Sequence, residues 1–308
     1  VARVEAMKFG LIAYDFPPAV GGMEQHALGL ARELAKTDDV TVYTAHRHEG
    51  HVYHEDFAVL PVLTGNPRRD LGQISESRID AILALNAGYS VLARYARVPV
   101  FCYCHGNDFL EPWVRSTGRI GTPIVRGLRE TPFFWRYARP IHVRQTRAAI
   151  QRALNATAGL FANSTFTRQR LAQAYPTLRV PIHVAPPGIS EQFFETKEPN
   201  GIARSKNDIL RILSIARLSE HAERKNIGGT LEALAELKND IPLRYTIVGD
   251  GERREHYQSR ARDLGLGDAV SFPGSLTTPD LIAELDATDI LVMAARKTDR
   301  SVEGFGIV

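Results

Sequence analysis

The chain has 308 residues, of which 44% are hydrophobic and 24% charged, and its formal net charge is +3. At about 100–200 residues per domain this length suggests two domains or one large one. The apolar share excludes a disordered chain, the mild charge does not mark the whole protein as a nucleic-acid binder, and two cysteines exclude a disulfide framework.

From the N-terminus, Val1 to Met7 lacks the apolar core of a signal peptide, and Met7 reads as a start residue. No 18-residue apolar stretch is present to span a membrane. Lys8–Tyr14 is predicted as a strand, Phe16–Gly22 as a loop and Met23–Lys36 as a helix with Ala27, Leu30, Ala31 and Leu34 on one face. Strands are expected at Val40–Ala45, Phe57–Val62, Ala81–Leu85, Pro99–Cys104, Gly159–Ala162 and Ile182–Ala185. Helices are expected near Ser90–Arg97 and from Ser164 to Ala174. Cys102 and Cys104 share one face of their strand, where a mutual bond would distort it, so reduced thiols in a cytoplasm fit best.

Pro186-Pro187-Gly188 breaks this rhythm, and the polar stretch that follows reads as an interdomain linker. Strand–helix alternation then resumes. Strands are expected at Leu210–Ala216, Arg244–Val248, Ala269–Phe272 and Ile290–Ala294, and helices at Gly228–Lys238, Glu252–Leu264 and Pro279–Ala287. Parallel strands need crossovers, so the alternation implies parallel sheets covered by helices. The expected architecture is α/β: two Rossmann-like domains facing each other across a cleft, residues 1–187 and 209–308, joined by a linker over 188–208. In such sheets ligands bind at the carboxyl ends of the strands.

The first domain carries an Arg-rich helical insertion at about 106–155. From Trp113 to Arg152 it holds nine arginines, among them Arg136, Arg139, Arg144 and Arg147, with one acid and no lysine. That gives +8 in 40 residues and leaves the rest of the chain at −5. Trp113, Phe133, Phe134, Trp135 and Tyr137 are interleaved. Three readings stay open: a solvated helical hairpin, an amphipathic surface on an anionic membrane, or a direct site for an anionic acceptor.

Five sequences carry candidate chemistry. Gly21-Gly22 lies between a strand and a helix, where amide groups can meet an anion; from these residues alone a plain tight turn into the helix is the leading reading. His105 ends a strand in His105-Gly106-Asn107-Asp108 and can bond a sugar hydroxyl or move a proton. Arg217-Leu218 and Arg224-Lys225-Asn226 follow a strand and precede a helix, a position for two cations on a diphosphate. Val248-Gly249-Asp250-Gly251 is a strand and turn whose glycines permit close approach of a nucleotide. Glu303-Gly304-Phe305-Gly306-Ile307 joins a carboxylate to several backbone donors, as a hydroxyl-rich phosphorylated ligand requires. His46, His48, His51 and His54 cluster near Glu49, Glu55 and Asp56, which reads as a surface loop, with a metal site the lesser alternative.

As an ordered set these residues resemble the family 4 glycosyltransferases, which have the GT-B fold, over about Met7 to Val308. The matching pieces are Pro17-Pro18-x-x-Gly21-Gly22-x-Glu24, His105-Gly106-x-Asp108, Asn163-Ser164-x-x-Thr167, Pro187-Gly188-Ile189, Arg217-Leu218 with Lys225, Gly249-Asp250-Gly251 and Glu303-Gly304-Phe305-Gly306. The resemblance implies a metal-independent, retaining transfer of a sugar from a UDP- or GDP-linked donor to an acceptor hydroxyl, with no cofactor beyond that donor. It places the donor on the second domain and the acceptor on the first, with cell-surface polysaccharide or glycolipid as the product class. It implies that Arg217 and Lys225 hold the diphosphate, Glu303 accepts from sugar hydroxyls, and Phe305, Gly306 and Ile307 present backbone amides. Gly22, beside Gly21, would close over the phosphates, and His105 would approach the reacting end of the sugar. Nucleic acid is not an expected partner, and the expected place is the cytoplasm or the inner membrane face.

Two departures stand out. Glu220–Glu223 lengthens the Arg217-to-Lys225 spacing, so Arg224 competes for the Lys225 role. A second motif glutamate belongs at position 311, beyond Val308, which implies a second domain cut short. The alternative that follows is a non-catalytic nucleotide-sugar-binding protein or an inactive fragment of such an enzyme.

Overall fold

A computed structural model describes residues 6–19, 21–74, 78–110, 139–194, 208–296 and 305–306. The chain divides into two compact units, the first Val1–Gly188 together with Gly304–Ile307 and the second Ile189–Glu303 together with Val308.

The first unit is built on a seven-stranded sheet. Its strands are β1 Lys8–Ile12, β2 Asp39–Ala45, β3 Ala58–Leu63, β4 Ala81–Ala84, β5 Val100–Cys104, β6 Gly159–Ala162 and β7 Ile182–Val184. All neighbours are parallel, in the order β3-β2-β1-β4-β5-β6-β7. Leu11 and Ile12 on β1 are both fully buried, as expected of a central parallel strand covered on two faces. Leu11 joins Ala27 and Ala31 of helix α1 (Gly22–Ala35) in one core layer, with Leu30 and Leu34 at its margin. Ile12 joins Tyr89 and Leu92 in the layer on the other face. Cys102 and Cys104 are free thiols, both buried on β5.

This strand order positions the site. The chain runs from β1 outward through β2 and β3, then returns to place β4 on the other side of β1. The order therefore reverses between β1 and β4, and the crevice of a doubly wound sheet opens outside the carboxyl ends of those two strands. Ala13, Tyr14 and Asp15 after β1, Leu85 and Asn86 after β4, and Met23 of α1 line a small depression at this point.

The second unit has a four-stranded parallel sheet, β10-β9-β8-β11. Its strands are β8 Leu210–Ile215, β9 Leu243–Val248, β10 Val270–Gly274 and β11 Ile290–Leu291. Here the order reverses between β8 and β11. The α-helices of the first unit after α1 are α2 Pro67–Asp70, α3 Asn107–Leu110, α4 Arg139–Leu154 and α5 Thr165–Ala174. In the second unit one core of Ile212, Leu231, Tyr245, Ile247 and Tyr257 packs helix α6 (Ile227–Leu237) and helix α7 (Arg254–Asp263) on its sheet.

Two expected elements differ in form. The helix expected near Ser90–Arg97 is a 3₁₀ helix over Ala87–Arg94. Asn86 caps the Gly88 amide, Tyr89 N–H bonds the Asn86 carbonyl, and the Ser90 hydroxyl bonds the Ala87 carbonyl at 2.6 Å, so the turn winds on three-residue spacing. The strand expected over Ile290–Ala294 has only two residues. Val292 donates to the Leu213 carbonyl, but its own carbonyl accepts from the Ser214 hydroxyl at 2.8 Å, which ends the ladder. No described helix is long and apolar enough to cross a membrane.

Candidate functional site

In the first unit the site is assembled around His105, the residue after β5. Its backbone is held from three directions. The Asp108 carboxylate accepts from the N–H of His105 (3.0 Å), of Gly106 (2.8 Å) and of Ala87 (2.9 Å). Asp108 thus ties the loop after β5 to the loop after β4. The Asn163 amide donates to the His105 carbonyl at 3.1 Å. Gly106 takes a φ of 129°, which lets the chain turn within this clamp. Burial raises the Asp108 pKa, against the lowering effect of its backbone donors.

The main chain of Leu85 neighbours the His105 ring and favours its protonated form, and Nε2 is buried with no partner among the described residues. In the tautomer that carries its proton on Nδ1, Nε2 keeps a lone pair that can accept from a hydroxyl. Burial lowers the His105 pKa to about 4, with the Leu85 main chain and the Asp15 carboxylate opposing it. The ring is neutral at physiological pH.

The residues alone do not single out His26, one turn into α1. It is 7% exposed, and its ring centroid lies 4.6 Å from Tyr103 and 5.5 Å from His105. Burial first and the neighbouring His105 second lower its pKa to about 4. A histidine on the buried face of an amphipathic helix reads from sequence as core, so only its position one turn past Gly21-Gly22 signals the site.

These two rings make stability depend on pH. Between about pH 4 and 6.5 they are neutral when folded and protonated when unfolded, so the unfolded state binds more protons. Their contribution is whole above the unfolded value of about 6.5 and is lost as pH falls towards 4. The midpoint urea concentration is expected to fall between pH 6.5 and 5, and to fall less in His26→Leu. An equal fall in both proteins would remove His26 as a cause.

Gly21 precedes α1 in an extended conformation, with φ 165°, and no side chain caps the helix. The first-turn amides of Gly22 and its neighbours have no intrahelical acceptor. Glu24 in that turn is 7% exposed. The histidine-rich loop resolves into local partners: Glu55 pairs with Arg32 at 2.7 Å, His46 with Glu49 at 3.2 Å, and the His51 ring meets Tyr53. Among the described residues no three His, Cys, Asp or Glu side chains form a metal-sized group.

In the second unit the loops after β8, β9 and β11 interlock. Arg217 is exposed at the end of β8, while Arg224 and Lys225 are half-buried. The added residues Glu220–Glu223 are taken up in a 3₁₀ helix over Glu220–Lys225. Asn226 then adopts φ 60° and opens α6. The Arg224 carbonyl accepts from Arg296 N–H at 2.7 Å, which joins this loop to the one after β11 at the reversal of strand order. The structure thus brings Arg217, Arg224 and Lys225 onto one loop between β8 and the start of α6.

Gly249 and Gly251 have a local structural reason to be glycine. A Cβ on Gly249, whose φ is 127°, would lie 2.0 Å from the Ala216 carbonyl oxygen, and one on Gly251 would lie 2.4 Å from that of Leu218. The space is filled by the protein's own backbone, so it is the β8 loop that approaches closely. Phe305, which is 38% exposed, and Gly306, which has φ 74°, are grouped with the first unit. Arg147 donates to the Leu110 carbonyl at 3.1 Å from the helix Arg139–Leu154. Glu303, Ile307, Arg136 and the side chains of Arg139 and Arg144 lie outside the described residues.

Comparison with known proteins agrees with this architecture. Residues 20–193 match the family described as Glycosyltransferase Family 4, and residues 195–308 match Glycosyl transferases group 1. A GDP-mannose-dependent alpha-(1-6)-phosphatidylinositol monomannoside mannosyltransferase from Mycolicibacterium smegmatis is 25% identical, covering 97% of this chain and 76% of its own. Among solved structures, a glycosyltransferase from Rickettsia africae is similar with a TM-score of 0.62 at 15% identity, covering 95% of this chain and 74% of its own. Sucrose-phosphate synthase from Thermosynechococcus elongatus reaches 0.63 at 14% identity, covering 97% and 77%. The fold is that of the GT-B glycosyltransferases, with a smaller sheet in the second unit.

Proposed function

This chain belongs to glycosyltransferase family 4, and we propose that it transfers mannose from GDP-mannose, with retention of anomeric configuration, to a hydroxyl of a lipid-linked acceptor. The observation that carries this reading is the loop between β8 and α6, where Arg217 and Lys225 flank the reversal of strand order. The M. smegmatis relative, named for GDP-mannose and a phosphatidylinositol monomannoside, supports both donor and acceptor class.

In the proposed reaction the bond between the sugar's anomeric carbon and the diphosphate oxygen breaks as the acceptor oxygen bonds that carbon on the same face. The acceptor proton passes to the departing phosphate. Arg217 and Lys225 stabilise the negative charge that develops there, and this stabilisation lowers the barrier most where no side chain attacks the sugar. A fork-shaped guanidinium and a point-charge ammonium suit the two phosphates. Neutral His105 accepts from a sugar hydroxyl through Nε2, and Gly22 offers first-turn amides to a phosphate oxygen. Glu303, Phe305, Gly306 and Ile307 complete the sugar side. No metal step is needed, because the cations carry the charge compensation. The basic segment that includes Arg136, Arg139, Arg144 and Arg147 would rest on anionic lipid at the inner membrane face.

A panel of nucleotide sugars tested by thermal shift examines this. GDP-mannose at 100 times its dissociation constant is expected to stabilise the chain by about 2.7 kcal/mol. A larger shift with a UDP-sugar would reassign the base, and no shift with any nucleotide sugar would end the proposal.

A further inference from the structure

Three rings meet beside the reversal of strand order in the first unit: His26 on α1, Tyr103 on β5 and His105 after it. Their centroids lie 4.6 Å (His26–Tyr103), 4.9 Å (Tyr103–His105) and 5.5 Å (His26–His105) apart. Tyr103 is immobilised, since it is 3% exposed and its hydroxyl donates to the Ala185 carbonyl. His26 meets His105 edge-on, with 76° between the ring planes. Its Nε2 is buried and has no hydrogen-bond partner among the described residues. A buried polar atom left unsatisfied is destabilising, a cost that an aliphatic residue would avoid. What the ring supplies in return is a flat, rigid wall for His105.

We propose that His26 is a positioning residue for His105: packed against Tyr103 and edge-on to the His105 ring, it holds that imidazole in the one orientation in which Nε2 is left as the acceptor. The backbone of His105 is fixed by Asp108 and Asn163, but those contacts leave its side-chain torsions free. His26 and Tyr103, in contact with each other, together form the surface against which the His105 ring rests, and so restrict its rotation. Without the wall, water enters and the ring samples both tautomers, so the acceptor lone pair no longer points one way. The consequence for catalysis rests on the contact between His105 and the donor sugar proposed above.

The test reads the His105 tautomer directly in the full chain, by two-bond proton–nitrogen NMR on protein labelled with ¹⁵N-histidine. His105→Gln supplies the assignment, and the pH is fixed at 7.5. The wild-type protein is expected to show a protonated Nδ1 and a bare Nε2 at His105. His26→Ala should give the averaged pattern of a free imidazole, and His26→Phe, which keeps a ring, should restore the wild-type pattern. Should His26→Ala fail to fold, His26→Leu fills the volume without a flat edge and is read in the same way. An unchanged His105 pattern in the folded ringless variant overturns the inference. Release of GDP from GDP-mannose supplies the second readout. His26→Ala is expected to lose on the order of 100-fold in kcat, the loss that a misplacement of about 1 Å brings, with KM little changed. His26→Ala combined with His105→Gln should be no slower than His105→Gln alone. Full additivity of the two losses overturns the inference. If His105→Gln turns over as the wild type does, the sugar contact fails while the tautomer result still decides the role of His26.

Discussion

Arg217→Ala and Lys225→Ala are each expected to lower kcat/KM for sugar transfer by about 100- to 1,000-fold, the loss seen when one preorganised donor to a developing anion is removed. Both residues sit on the loop between β8 and α6, anchored to the loop after β11 through Arg224 and Arg296. The main chain that carries their charges is therefore fixed before the diphosphate begins to leave. The two variants should differ from Arg224→Ala, which the longer spacing makes a competitor for the Lys225 role. A loss with Arg224→Ala larger than with Lys225→Ala would transfer the role to Arg224. Arg217→Lys is not expected to rescue, because an ammonium cannot reproduce the two-pronged contact of a guanidinium. Steady-state kinetics of the four variants with GDP-mannose, each first checked by circular dichroism, separates these outcomes.

The second large effect is on folding. Gly249→Ala is expected to destabilise the second unit by about 2–6 kcal/mol. Roughly 1–3 kcal/mol comes from forcing an L-residue to a φ of 127°, and about as much again from overlap of the new methyl with a backbone it cannot push aside. The overlapping atom is the Ala216 carbonyl oxygen, 2.0 Å from the added carbon. The Ala216 amide meanwhile bonds the Val248 carbonyl, so the two loops cannot part without breaking the β8–β9 ladder. Urea unfolding followed by a probe in the second unit would register the change. A midpoint equal to that of the wild type would show that the loops can separate.

Much of the fold is legible from the residues because strand–helix alternation leaves parallel sheets as its outcome. What is not legible is strand order. Nothing in the run Ala81–Ala84 says that this strand returns to pair with Lys8–Ile12, yet that return creates the crevice whose lining residues Leu85 and Asp15 neighbour His105. His105 and Asp108 can be picked out as polar residues at a strand end. Only the structure shows that Asp108 serves the backbone of His105 rather than a ligand. His26 is hidden by its helix face, and the glycines after β9 read as room for a nucleotide although the protein's own loop fills that room. The short length of Ile290–Leu291 is not legible either, because a side chain, Ser214, takes the place of a ladder bond, and period-two patterns do not encode such a substitution.

The most direct test of the central claim is transfer itself: purified chain, GDP-[¹⁴C]mannose and vesicles containing phosphatidylinositol mannosides, with label counted in the lipid phase after extraction. Time-dependent transfer of label to lipid, abolished in Arg217→Ala, is the predicted result. Absence of labelled lipid from the wild-type protein, under conditions where GDP-mannose is shown to bind, would contradict it.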